Sequence, residues 1–156
     1  MKEDSKTGWL YRDGDFTEED YEMIRNAGYM GFVYLITELD TGMKYIGQKR
    51  MQKKITRPPL KGKKNKRRSF AESDWREYYG SSQSLNEVIL KKGRQNYTRE
   101  ILHFGMTNGD LNYLEMREIV GRNALLRNDY YNEFVGGRIH VKHLSIPTQE
   151  MIRSTL

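Results

Sequence analysis

Hydrophobic positions in this chain follow two rhythms. Gly31 to Thr37 is β-branched and aromatic and continuously apolar from Phe32 to Ile36, which predicts a strand covered on both faces. Asp40-Thr41-Gly42 supplies turn chemistry, and Met43 to Ile46 forms a second short strand, so the pair reads as a hairpin. Tyr97 to Phe104 reads as a third strand. The helical rhythm appears where Leu85, Val88 and Ile89 recur at i, i+3, i+4 behind Ser84 and Glu87, with Lys91-Lys92-Gly93 closing the helix. It returns where Leu111, Leu114 and Ile119 share a face, capped by Asn108 or Asp110 and running to about Gly121. Shorter helices are predicted over Phe16–Ile24, capped by Thr17 with Asp20, and from Ser73 or Asp74 through Tyr79, ended by Gly80.

These elements predict an α+β fold: a small, mostly antiparallel three-stranded sheet flanked by helices. Residues 1–30 read as a polar extension with one short helix, residues 31–135 as the main domain, and residues 136–156 as a loosely held tail containing Pro147. No repeat or linker divides the chain.

Charge changes this picture. The chain has 156 residues and a formal charge of +6, yet 11 of its 27 Lys and Arg lie between Lys49 and Arg68, where no Asp or Glu occurs. Without that segment the balance is −5. Pro58, Pro59 and Gly62 predict that the segment is an exposed loop. A like-charged loop gains free energy by neutralising phosphates and releasing their counterions, so Lys53, Lys54, Arg57, Lys61, Lys63, Lys64, Lys66, Arg67 and Arg68 are the candidate nucleic-acid contacts. The chain has no cysteine, which excludes disulfide scaffolds, cysteine zinc fingers and thiol nucleophiles. No apolar run is long enough to span a bilayer and Met1–Trp9 is polar, so a cytoplasmic protein without membrane association is expected. Of the histidines, His140 and His143 read as surface residues of the tail and His103 as an ordinary strand residue.

Phe32-Val33-Tyr34 on the first strand and Tyr45-Ile46-Gly47 on the second place two tyrosines 11 residues apart. Downstream come Ser81-Ser82, Leu85, Ile89 and Gly93, then the strand Tyr97–Leu102, then Glu115, then Tyr131-Asn132. This order resembles the GIY-YIG nuclease family over residues 31–135. The first tripeptide departs from the family's name, with Gly31 just upstream and the tyrosine present. The basic segment followed by Glu72 to Ser82 resembles standalone phage-encoded members, which implies a phage-infected bacterial host.

The resemblance implies a DNA endonuclease that uses one divalent ion, Mg²⁺ or Mn²⁺, and leaves a 5′ phosphate and a 3′ hydroxyl. Glu115 lies on the apolar stripe between Leu111 and Ile119, where a carboxylate is costly unless paired or metal-bound. The family places the metal on such a glutamate, and Glu118 points nearly the same way. The hydroxyls of Tyr34 and Tyr45 are able to converge above one sheet face, and the family assigns to one of them the activation of the attacking water. A tyrosine does this at neutral pH only if cations lower its pKa, a role open to Lys49. An arginine is needed on the scissile phosphate; Arg76 is the choice, with Arg57, Arg67 and Arg68 as competitors. Asn132 would fix the metal water or the active-site backbone, and Tyr78 or Tyr79 would replace a histidine found in some members. One site cuts one strand, so double-strand cleavage would call for a homodimer. The alternative is a non-catalytic nucleic-acid-binding module that uses the same basic loop.

Overall fold

The computed structural model describes residues 5–136 and 141–155. In chain order the elements are β1 (Lys6–Tyr11), β2 (Gly14–Thr17), α1 (Glu18–Asn26), β3 (Gly31–Glu38), β4 (Lys44–Arg50), β5 (Gln52–Arg57) and β6 (Arg67–Glu72). A 3₁₀ turn at Trp75–Glu77 follows, then α2 (Gln83–Lys92), a second 3₁₀ turn at Arg94–Asn96, β7 (Tyr97–Gly105), α3 (Asn108–Gly121), a third 3₁₀ turn at Val141–His143 and α4 (Ile146–Arg153). The class is α+β as the periodicity predicted. The main sheet, however, has five strands rather than three, in the order β2-β1-β7-β3-β4, and β5-β6 forms a separate two-stranded ribbon. Only the β1–β7 pairing is parallel among the main-sheet pairs.

The unbroken apolar run of β3 is explained by its position. Phe32, Tyr34 and Ile36 point into one core with Trp9, Phe16, Tyr21, Trp75, Leu85 and Ile89. Val33 and Leu35 point into a second core with Ile46, Leu111, Leu114 and Ile119. Helix α3 covers the second face, and α2 with the Trp75–Glu77 turn covers the first.

The two strands that periodicity did not predict lie in the supposed polar extension. Thr7 and Trp9 alternate inward along β1, and Phe16 does so on β2. Arg12 and Asp13 both take positive φ, 49° and 65°, as in a two-residue type I′ hairpin turn. Trp9 is fully buried and donates its indole N–H to the Trp75 carbonyl at 2.9 Å. The apolar content here is low because two aromatics supply it.

Several caps also differ in position. Thr17 and Asp20 form the predicted capping box of α1. The cap of α2 is Ser82, whose hydroxyl accepts from the Leu85 N–H at 3.3 Å, rather than Ser84. Thr107 caps α3, with Asp110 completing the box. Asp110 also holds the tail: it accepts from the Ser145 N–H at 2.8 Å and the Ser145 hydroxyl at 2.7 Å, so residues expected to be loose instead form α4. His140 lies outside the described residues. Among the described residues, no helix is long and apolar enough to cross a membrane.

Candidate active site at the β4 edge

In an antiparallel pair, residues directly opposite each other share a face. The register pairs Phe32 with Lys49, Tyr34 with Gly47 and Ile36 with Tyr45, so Tyr34, Tyr45, Gly47 and Lys49 all project from the same face. Ile46 and Gln48 project from the other, toward α3. Strand β4 is one of the two sheet edges, and Gly47 lies at its middle opposite Tyr34. A Cβ there would sit 2.6 Å from the Tyr34 Cζ and 3.1 Å from Tyr45 Cε1, so only glycine lets the Tyr34 hydroxyl extend over this strand.

The rings of Tyr34 and Tyr45 have centroids 6.3 Å apart, and Tyr78 meets Tyr34 edge-on at 5.9 Å. The Tyr45 hydroxyl is hydrogen-bonded to that of Ser81 at 3.0 Å. Gly80, at φ 94°, brings its backbone against the Tyr45 ring and turns the chain into Ser81. The ammonium of Lys49 lies 4.1 Å from the Tyr78 ring centroid and 2.7 Å from Asp74. Tyr78 is therefore the second-tier tyrosine of this cluster, whereas Tyr79 packs under Arg99 and Arg94.

Tyr34 is fully buried, and its hydroxyl has no hydrogen-bond partner among the described residues. Burial first, then the neighbouring Tyr78, Tyr45 and Glu115, push its pKa well above the ordinary tyrosine value. Tyr45 is also raised, again chiefly by burial. Lys49, open to the role of lowering these pKa values, is instead engaged by Asp74 and the Tyr78 ring.

From the other face, α3 brings Glu115 to the same edge. Its carboxyl is half-buried and raised by desolvation, opposed by a hydrogen bond with Gln48. Glu118 is held quite differently. His103 Nε2 and Arg122 Nε each lie 2.7 Å from its oxygens, and these partners lower its pKa to about 2. Asn132 is buried and spans the edge strand: its amide accepts from the Ile46 N–H at 3.0 Å and donates to the Ile46 carbonyl at 2.8 Å. The Tyr131 hydroxyl donates to buried Glu38 at 2.9 Å, which fixes the segment presenting Asn132. Tyr45, Gly47, Gln48, Ser81, Glu115, Asn132, Glu133 and Phe134 enclose a cleft of about 250 Å³.

The fold thus gathers Tyr34, Tyr45, Lys49, Glu115 and Asn132 at one edge. Arg76 is not among them. Its guanidinium is bound by Glu18 at 2.6 and 2.7 Å and by Glu72 at 2.5 Å, and it stacks on Trp75 and Tyr21. Its place within the first 3₁₀ turn aims it at Glu18 of α1. Arg57, Arg67 and Arg68 lie on the ribbon. Gln48, Glu133 and Phe134 also line the cleft and were not singled out from sequence, while Ser81 was named only as part of the helix pattern. For Gln48 a signal was present, since strand alternation places it on the α3 side.

Among the described residues no three His, Cys, Asp or Glu side chains gather as a cation cage. What fits Glu115 is a hard divalent ion, one that takes oxygen ligands and completes its shell with water and substrate phosphate. The carboxylate has no cationic partner among the described residues and opens onto the cleft.

Comparison with known proteins agrees with this geometry. Neither a curated protein nor a solved structure matches the chain. One family model does, described as "Putative endonuclease segE, GIY-YIG domain", and it matches residues 9–135, from Trp9 of β1 to the segment just past Asn132. That span takes in the tyrosine hairpin, α2, β7 and α3, and the chain belongs to this GIY-YIG endonuclease-domain family.

Proposed function

We propose that the chain is a divalent-metal-dependent endonuclease that hydrolyses DNA phosphodiester bonds at the β4 edge. One observation carries this reading: Glu115, a carboxylate with no cationic partner among the described residues, opens onto the cleft, and the Tyr34 hydroxyl, without a hydrogen bond of its own, lies buried against Gly47, which lines that cleft. An unsatisfied buried polar group costs about 1–3 kcal/mol, and a buried carboxylate without a cation is costly as well. Two such costs side by side are accounted for by partners that arrive with substrate.

Glu115 would hold the single ion, Mg²⁺ or Mn²⁺, with Glu133 at the rim of the same cleft. Such an ion, when bound, supplies Lewis-acid stabilisation of charge on the phosphate. Tyr34 keeps its proton at neutral pH, so its role is to orient the attacking water through the phenol oxygen. Tyr45, fixed by Ser81, defines the opposite wall. Lys49, on the same strand face as Tyr45 and Gly47, would exchange its Asp74 pairing for the scissile phosphate, whereas Arg76 is turned toward α1 and held there by Glu18 and Glu72. Asn132 holds the Ile46 backbone, and with it Gly47, at the height the Tyr34 hydroxyl requires. Products with a 5′ phosphate and a 3′ hydroxyl are expected. One such site cuts one strand, so a monomer nicks and a homodimer would be required to break both strands.

The test is supercoiled plasmid incubated with purified protein and Mg²⁺ or Mn²⁺, beside Glu115→Gln and an EDTA control. Nicking by wild type alone, and only with metal, supports the proposal. Equal behaviour of wild type and variant, or no nicking in either metal, overturns it. DNA retention in EDTA without cleavage under any condition would favour a binding module.

A further inference from the structure

The basic segment expected to be a loop is a β-ribbon. Strands β5 and β6 pair antiparallel from Gln52↔Glu72 to Arg57↔Arg67, and residues 58–66 form its tip. We infer that this ribbon enters the major groove of a B-form DNA duplex and sets where the β4 edge meets the backbone. The inference rests on the nuclease reading for its choice of polymer and deepens it by naming the form of the substrate.

Three observations lead there. The first is the distribution of charge. Register places Lys53, Arg57 and Arg67 on one face and Lys54 and Arg68 on the other. Cations on both faces suit a groove with phosphates along both walls better than a single backbone lying flat against one side. None of these five forms an ion pair among the described residues.

The second observation is that the ribbon, beyond a base held by Glu72 to Trp75 and Arg76, is open to solvent. All its residues but Gln52, Ile55 and Ala71 are exposed, and Phe70 is 67% exposed. A lone two-stranded hairpin is marginally stable in water, so this exposed one gains from a partner on its flanks. Strands about 4.8 Å apart, with side chains on both faces, match a groove about 12 Å wide and exceed the minor groove at about 6 Å. The deep, narrow major groove of A-form RNA does not admit side chains for readout. Duplex DNA is thus the polymer whose dimensions fit.

The third observation is the ribbon's base. Met51, fully buried, separates β4 from β5; its N–H bonds to the Met30 carbonyl at 2.9 Å, and its carbonyl accepts from the Ser73 N–H at 2.8 Å. The Ser73 hydroxyl donates to the Arg50 carbonyl at 2.5 Å. The ribbon therefore springs from the strand that carries Tyr45, Gly47 and Lys49, through a junction pinned on both sides. A groove contact at the ribbon fixes the distance and phase of the cleavage edge along the duplex.

Methylation interference tests this in EDTA, where binding is read without cleavage. Duplex DNA is sparsely methylated with dimethyl sulfate, which marks guanine N7 in the major groove and adenine N3 in the minor groove. Bound and free fractions are then compared for wild type and for Arg57→Gln/Arg67→Gln/Arg68→Gln. A thermal melt followed by circular dichroism confirms that the variant is folded. The expected result is interference at guanine N7 in a short tract, with a tenfold or greater loss of binding at a contacted base. That tract should disappear in the variant, and the salt slope of binding should fall by about 0.9 for each phosphate the variant no longer neutralises. Interference confined to adenine N3, binding with no interference in either groove, equal affinity for duplex RNA, or an N7 tract unchanged in the variant would each overturn the inference. So would absence of binding in wild type. None of these outcomes touches the plasmid cleavage assay, so the nuclease reading stands or falls separately.

Discussion

Glu115 and Glu118 lie three residues apart on α3, nearly the same angle around the helix, and the fold treats them as opposites. Glu118 is clamped between His103 and Arg122 and its pKa falls to about 2. Glu115 has no cationic partner among the described residues, and burial raises its pKa. The helix alone does not distinguish them. What does is the neighbouring strand on each side: β7 brings His103 to Glu118, whereas β4 brings neutral Gln48 to Glu115. A carboxylate already neutralised by protein cations has little attraction left for a metal ion, while one left uncompensated at a cleft has all of it. The difference reads as a structural ion cluster beside a site awaiting charge.

The strongest way to break this comparison is to neutralise each glutamate in turn. Glu115→Gln is expected to lower plasmid cleavage by about 10²–10³-fold or more, with no loss of stability. Glu118→Gln is expected to keep cleavage within a few-fold but to cost about 1–3 kcal/mol in urea unfolding, because His103 and Arg122 lose the negative charge and one of the two acceptor oxygens they share. If the two variants exchange these phenotypes, the roles are reversed.

Tyr34→Phe sharpens the comparison at the other half of the site. Removing a hydroxyl that satisfies no hydrogen bond should leave stability unchanged or raise it by up to about 1–3 kcal/mol. Cleavage should fall nonetheless, because the water-orienting atom is gone. A variant that is less stable than wild type would mean that the hydroxyl is an ordinary packing group.

The smallest effects are expected in the pH dependence of stability, where the two glutamates have opposite signs. The folded pKa of Glu118 is depressed from 4.5 to about 2, so its contribution is complete above the unfolded value and is lost as pH falls through about 2. The stability gap between wild type and Glu118→Gln should close over that window. The folded pKa of Glu115 is raised, so its ionisation opposes folding at neutral pH and ceases to do so on acidification. Glu115→Gln should therefore melt higher than wild type near neutrality, with the advantage fading in acid. Melts at a series of pH values check both curves.

Much of this molecule follows from local pattern. The continuous run Phe32–Ile36 announced a strand buried on both sides, and it is the strand shared by the two cores. The tyrosine hairpin, α2, β7 and α3 all lie where periodicity placed them, and the Thr17–Asp20 capping box formed as expected. Pattern failed where a few residues did the work of many. Trp9 and Phe16 anchor β1 and β2 with too few apolar positions to register, and the basic run hid a ribbon because Lys and Arg carry little strand signal.

Sequence alone determined which residues were available at the site: two tyrosines in hairpin register, a glycine opposite one of them, a glutamate on an apolar stripe, and a cationic run beside them. Those are local consequences of strand alternation and helical spacing. Tertiary structure decided their charge states and company. Arg76 was drawn to Glu18 on an element 58 residues away, Tyr34 was buried until its pKa rose, and Glu118 was neutralised while Glu115 was not. Desolvation and ion pairing depend on what packs around a group, and long-range contacts that no local spacing encodes supply that surrounding.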